Sequence, residues 1–572
     1  MISKTFSSPI IAILVVFILL LFKAAPVLGQ AKPYNEEITV IAAFDPIIPD
    51  AFKINQNPLI TDTSTTIPVM TYFVQPRNAG IKLDIDPLPS VKLVAEPLSK
   101  IYRNYLKAGF GNYTSIYGEL FASSLRSKTS LVGVHFSHIS YSGKIKDYAP
   151  AANSSQLAEV FGQRYFENHT LSGKVFFKRD GLHLYGFKPD FYPSWNVNAR
   201  DIKQHYLVSG FETTFGSRYK SMEKLNHNFG LSYYHLSDNY QVKENNLKIS
   251  AMLDKQADLF KWDTKQTLGL NASLDFYNQK DSVSKINASV LCINPTIAAR
   301  LNEYSFKAGL IFDIGIDSVT KPHLYPMLEA KIDLLPGALQ LYAGIDGGME
   351  RNSIRKLMQE NPYITSGLPL KYTYDKFRAY GGFSSNISRT FNFNGSISSS
   401  TFENYPFFVT DIAANFQNSF TLLYDDISLV KIRAELEFVK ADKLRLSLAG
   451  NYNHYNLGTQ DYAWYKPDYS LDLTANYNFQ DKIIFKFQAE LNGPVYAPIP
   501  TFPDDLNIQD PVVYRKKNIN GWVDANLGAE YKFNKALSFW LNINNLGNTR
   551  NFSFYNYPSY RINAMGGASY SF

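Results

Sequence analysis

Strict alternation of apolar and polar residues, repeated over strand-length segments, is what most limits the folds open to this chain. In 469–479, Tyr469, Leu471, Leu473, Ala475, Tyr477 and Phe479 share one face. Ser470, Asp472, Thr474, Asn476 and Asn478 share the other, because successive side chains of a β-strand point to opposite sides. Val523, Ala525, Leu527, Ala529, Tyr531 and Phe533 stand against Asp524, Asn526, Gly528, Glu530 and Lys532 in the same way. The split recurs at Val430–Phe438, and at Phe306–Ile316, where Lys307, Asp313 and Asp317 fall on the polar side. From about residue 100 onward the chain reads as all-β.

A soluble sandwich would bury those apolar faces, whereas a membrane barrel turns them to lipid and its polar faces to the lumen. Three features favour the barrel. Aromatics, unusually many at 41 Phe, 39 Tyr and 5 Trp, gather at strand ends such as Tyr469 and Phe479, where interfacial girdles belong. Connections alternate in length: 440–443, 479–482 and 534–535 are tight, whereas 453–468, 493–521 and 546–559 are long and rich in Pro, Asn and Tyr. The final strand carries Tyr560, Ile562, Ala564, Gly566, Ala568, Tyr570 and Phe572 on one face and ends on an aromatic, so Tyr570 and Phe572 read as the strand that controls assembly. Strands of about 10 residues with their connections take about 21 residues each, which gives about 22 strands, with any even number from about 16 to 24 acceptable. The expectation is a transmembrane antiparallel outer-membrane β-barrel over 101–572. Alternation lapses at 145–160, 189–204 and 350–370, and Ser353–Pro362 reads as a short loop helix.

Residues 1–29 place Lys4 before an unbroken apolar run from Ile10 to Phe22, followed by small and helix-breaking residues. That run is shorter than the roughly 20 residues of a spanning helix and reads as a cleaved signal peptide. Residues 30–100 are punctuated by Pro46-Ile47-Ile48-Pro49 and Pro87-Leu88-Pro89 and read as a short periplasmic N-terminal arm. The predicted location is the outer membrane of a Gram-negative cell, reached through the barrel assembly machinery.

A formal net charge of +7, evenly spread, is no nucleic-acid footprint. One cysteine, Cys292, allows neither an intramolecular disulfide framework nor a thiolate metal cluster. No HExxH, GxSxG, GxxxxGK[ST] or GxGxxG occurs, and the nine histidines are dispersed, so the chain carries no catalytic motif and implies no cofactor or metal. Gly109 and Gly111 read as close-packing strand glycines. Two groups remain as candidates. Lys431, Arg433, Glu435, Glu437, Arg445, Lys486 and Glu490 lie on polar strand faces and are expected to face the lumen, since lipid exposure costs roughly a few kcal/mol each near the midplane. Their mixed signs favour salt-bridged packing over a selectivity ring. Tyr462, Trp464 and Tyr465 in one long loop, and Phe552, Phe554, Tyr555 and Tyr557 in another, are candidates for stacking on a ligand or packing against another outer-membrane protein, or for an upper girdle.

At the last strands, Asn542–Asn548 (NINNLGN), the aromatic loop through Tyr557-Pro558, and Arg561 leading into Gly566–Phe572 (GGASYSF) resemble the C-terminal end of TonB-dependent receptors. That resemblance implies a 22-stranded barrel closed by a plug, importing a ligand with energy from an inner-membrane complex. Glu37, Ile38, Thr39, Val40 and Ile41 resemble the family's TonB box, which pairs as an added strand with the coupling protein. The chain departs from the family at 30–100, too short for the plug. Two functions follow: a receptor or transport barrel, or a non-transporting barrel that is a subunit of a larger outer-membrane assembly.

Overall fold

The computed structural model describes residues 102–124, 127–194, 198–260, 264–281, 285–317, 320–386, 388–501 and 513–572. The signal peptide, the arm and the TonB-box-like segment expected from the sequence lie outside them. Twenty-two antiparallel strands, the first Asn104–Gly111 and the last Asn563–Ser571, form one closed sheet. Each pairs with its sequence neighbours, and the ring closes where Asn104–Gly111 pairs on one edge with Ser115–Ser123 and on the other with Asn563–Ser571. At the seam Arg103 N and Asn104 N donate to Phe572 O at 3.2 and 3.0 Å, and Phe572 N donates to Asn104 O at 2.9 Å. Closure leaves no unpaired edge, the condition for a sheet to exist in hydrocarbon.

Alternation maps onto the two faces of this sheet. Leu310, Leu324, Leu471, Val523, Leu527, Phe539 and Tyr570 are exposed on the apolar face. A lipid-facing surface of this kind is solvated by acyl chains, so the exposed apolar area is the ordinary surface of a membrane barrel. Close packing at the seam explains the strand glycines: a Cβ on Gly109 would stand 2.3 Å from the Trp540 ring, and one on Gly567 1.9 Å from Ala108 O.

The ends of the barrel differ. At one end the connections run to eight residues at most, as at 441–443 and 480–482, where Gln480 and Asp481 both take positive φ, the mirror-image turn whose twist suits a tight hairpin. At the other end the connections include 184–202, 352–371, 493–521 and 545–562. The loop 493–521 carries a hairpin of its own, Val495–Thr501 paired with Val513–Ile519. The helix expected near Ser353–Pro362 spans Ile354–Glu360, with the Ser353 hydroxyl accepting from Lys356 N.

Candidate functional site

The long loops condense into one buried cluster at their end of the barrel. Phe187, Leu357, Ile364, Phe420, Trp464, Val495 and Tyr557, from six different loops or loop-end strands, share it. Main-chain acceptors in these loops are met by side chains: Tyr185 OH donates to Pro558 O at 2.9 Å, Asn418 Nδ2 to Leu184 O at 2.6 Å, Thr410 Oγ1 to Pro498 O at 3.1 Å. Tyr557 OH donates to Asn418 O, and its ring stacks on Tyr363 at 3.6 Å between centroids. Burial pushes the Tyr185 and Tyr557 phenols well up and the Tyr560 phenol up to about 12, because the site disfavours the phenolate. Asp425 anchors loop 458–468, accepting from Gly458 N, Thr459 N, Thr459 Oγ1 and Gln460 N between 2.8 and 3.1 Å.

The aromatics singled out from the sequence fall inside or against this cluster. Trp464 is 2% exposed and its Nε1 donates to Gln460 Oε1 at 3.1 Å. Tyr465 and Phe554 are buried with rings 5.1 Å apart, and both meet Phe420. Phe552 and Tyr555 pack on its margin, as does Tyr462, whose ring carries Lys516 Nζ at 4.7 Å. The arrangement is a self-packed cap. Beneath helix Ile354–Glu360 a cavity of about 150 Å³ is lined by Glu159, Lys174, Lys178, Glu212, Arg355 and Met358. Lys174 pairs with Glu212 at 3.0 Å and Lys178 with Asp180 at 2.8 Å. The Arg355 guanidinium instead lies over the rings of Tyr234 and Phe176, at 4.4 and 5.4 Å.

The charged strand residues fall into local contacts along one face. Arg433 bonds Glu435 and, through Nη1, Asn451 Oδ1 at 2.9 Å. Glu437 accepts from Asn392 Nδ2 at 3.0 Å and meets Arg445 Nε at 3.5 Å. Lys431 stands in register with Ser398 and Asn453, Lys486 with Asn476 and Gly528, and Glu490 with Asp472 and Asp524. They form neighbouring contacts rather than one constellation. Among the described residues no group of three or more His, Cys, Asp or Glu is placed to hold a metal ion. Tyr570 and Phe572 stack at 5.4 Å on the apolar face of the seam. Sequence reading missed Glu244, which is fully buried, and Asp425: Glu244 is one acid in a polar stretch and Asp425 one of an adjacent pair, and the loop partners of each lie far away in sequence.

A closed 22-stranded antiparallel barrel with short turns at one end and a looped cap at the other defines the outer-membrane receptor fold. No family model matches the chain, and no curated protein matches it. Among solved structures it is similar to the siderophore receptor PirA from Acinetobacter baumannii, at 10% identity and TM-score 0.61 over 83% of this chain and 81% of that one. It is similar also to the FrpB iron transporter from Neisseria meningitidis, at 11% identity and TM-score 0.61 over 83% and 82%. The pyoverdine outer membrane receptor FpvA from Pseudomonas aeruginosa matches at 12% identity and TM-score 0.57 over 83% and 79%. The chain shares the barrel of these siderophore and iron receptors.

Proposed function

We propose that this protein is an outer-membrane receptor of the TonB-dependent type that admits a ligand from its loop end. The observation that carries the reading is the 22-stranded ring itself, which matches siderophore and iron receptors over more than four-fifths of this chain. In this reading the short turns face the periplasm, and Lys431, Arg433, Glu435, Glu437, Arg445, Lys486 and Glu490 line the lumen. Residues 1–29 are removed on export, and Glu37–Ile41 pairs with the coupling protein as an added strand. Main-chain hydrogen bonds carry such pairing, so Thr39→Pro removes a donor and should abolish it, whereas Thr39→Val should leave it largely intact. Photo-crosslinking from residue 39 or 40 in cells tests this. The expected result is a crosslink to TonB that Thr39→Pro eliminates; its absence where a known receptor crosslinks would overturn the reading.

One observation favours the second reading, a barrel subunit docked in a larger outer-membrane assembly. Residues 30–100 are punctuated by Pro46, Pro49, Pro87 and Pro89, as suits an arm that docks on a partner. Under that reading the crosslink fails and deletion of residues 45–90 releases the barrel from a stable complex.

A further inference from the structure

The hairpin formed by strands Leu339–Arg351 and Tyr372–Asn386 does not simply continue the wall. Its register shifts between Asp346 and Gly348, and again between Asp375 and Phe377 where the second strand pairs with Phe391–Thr410. Bulges bend the strands that carry them. Beyond these two, the hairpin lies over strands several places away: Tyr372 and Tyr374 cluster with Ala288 and Val290, Tyr372 OH donates to Ser289 O at 3.0 Å and to Ile316 O at 3.1 Å, and Arg351 Nη2 reaches Gln279 Oε1 at 3.5 Å. The connection 352–371 goes further. Arg355, Met358 and Gln359 share a cavity with Leu157 and Glu159 of strand Asn153–Tyr165, which is nine strands away in a ring of 22, close to a diameter.

The far attachment is a well-made latch. The Glu244 carboxylate is wholly buried and accepts from Ile354 N at 2.8 Å, Arg355 N at 3.2 Å, Tyr234 OH at 2.8 Å and Gln279 Nε2. Tyr206 OH donates to Pro362 O at 3.1 Å, and Ser366 Oγ to Asp238 Oδ2 at 3.0 Å. The near seam, where the bent hairpin rests on the wall, is made differently. Buried atoms Arg351 Nε, His323 Nε2, Tyr325 OH and Asp375 Oδ1 have no protein hydrogen-bond partner there. Water entering the seam can meet those atoms, which offsets part of the cost of breaking its Tyr372 OH and Met349 N bonds, whereas the latch must break several bonds at once.

We propose that 347–375 is a hinged gate across the barrel interior, bending at the paired bulges and held shut by Glu244. Opening swings 352–371 off strands Asn153–Tyr165 through Lys243–Ala257 and also draws it out of the cap, where Phe420 N donates to Tyr363 O at 3.0 Å and Thr365 N to Phe420 O at 2.8 Å. The inference rests on the receptor reading, but its test needs neither ligand nor coupling protein, so the two can fail separately. In a Cys292→Ser background, Met358→Cys places the only thiol on the buried side of the gate, and a bulky membrane-impermeant maleimide added outside intact cells reports its exposure. With the latch intact, labelling should be slow. Glu244→Ala should raise the rate at least tenfold while the folded, heat-modifiable band persists, and Tyr206→Phe should raise it severalfold. Unchanged labelling in both variants would overturn the proposal, and so would loss of the folded band in both, since that would make the segment part of the wall's own fold.

Discussion

The barrel wall and the loop cap are built by opposite rules. In the wall, apolar side chains such as Leu471 and Val523 point outward and remain exposed, and cohesion comes from a continuous ladder of main-chain bonds closed on itself at Phe572. In the cap, apolar side chains such as Phe420 and Trp464 point into a buried core, while main-chain bonding is irregular and completed by side chains such as Asn418 and Asp425. The wall is made for lipid and the cap for water. Damage to one should therefore leave the other legible in experiment.

Removing Tyr570–Phe572 should have the largest effect, because it takes away the carbonyl and amide that Arg103 and Asn104 bond and opens an edge in hydrocarbon. No heat-modifiable form should reach the outer membrane. Next in size, Phe420→Ala leaves a hole among Tyr465, Phe554 and Tyr557 and should cost the cap about 3–5 kcal/mol, read as protease cutting in the long loops of a barrel whose gel mobility is unchanged. The cap should also open selectively in alkali. Tyr560 titrates near 12 when folded against an ordinary 10, so its contribution is fully present below about pH 10 and lost as pH rises through about 12. Loop proteolysis across that interval, with the wall intact, checks the sign.

The wall has its own graded test. Leu473→Arg places a charge on the apolar face and should cost about 2–4 kcal/mol if near the midplane, whereas Thr474→Arg on the polar face should be nearly silent; denaturant unfolding in bilayers compares them. Smallest of all, Arg433→Gln removes a partly exposed ion pair with Glu435 and should change stability by less than about 1 kcal/mol.

The same contrast explains what could be read from the sequence. Period-2 alternation is local, so strands such as Tyr469–Phe479 and Trp522–Lys532 were visible residue by residue, and their spacing pointed to about 22 strands within a range of about 16 to 24. The helix at Ile354–Glu360 was visible because Ser353 caps it and Pro362 follows closely. The cap was not visible. Its core joins residues as distant as Leu184 and Asn418, or Tyr185 and Pro558, and no window of sequence contains both partners. Loop aromatics such as Trp464 were recognisable as a group, but exposure and burial of a loop residue leave the same local pattern. Glu244 gave no signal either, because its partners at Ile354 and Arg355 are main-chain amides, which any residue supplies.

The central claim is that a single closed ring turns one face of every strand to lipid and the other to a lumen. Cysteines placed one at a time along 469–479 in a Cys292→Ser background, each carrying a fluorophore and exposed in turn to a lipid-borne and an aqueous quencher, test it most directly. Labels at 471, 473 and 475 should be quenched from lipid, and those at 470, 472 and 474 from water. Quenching that does not alternate, or that comes from water at every position, would contradict it.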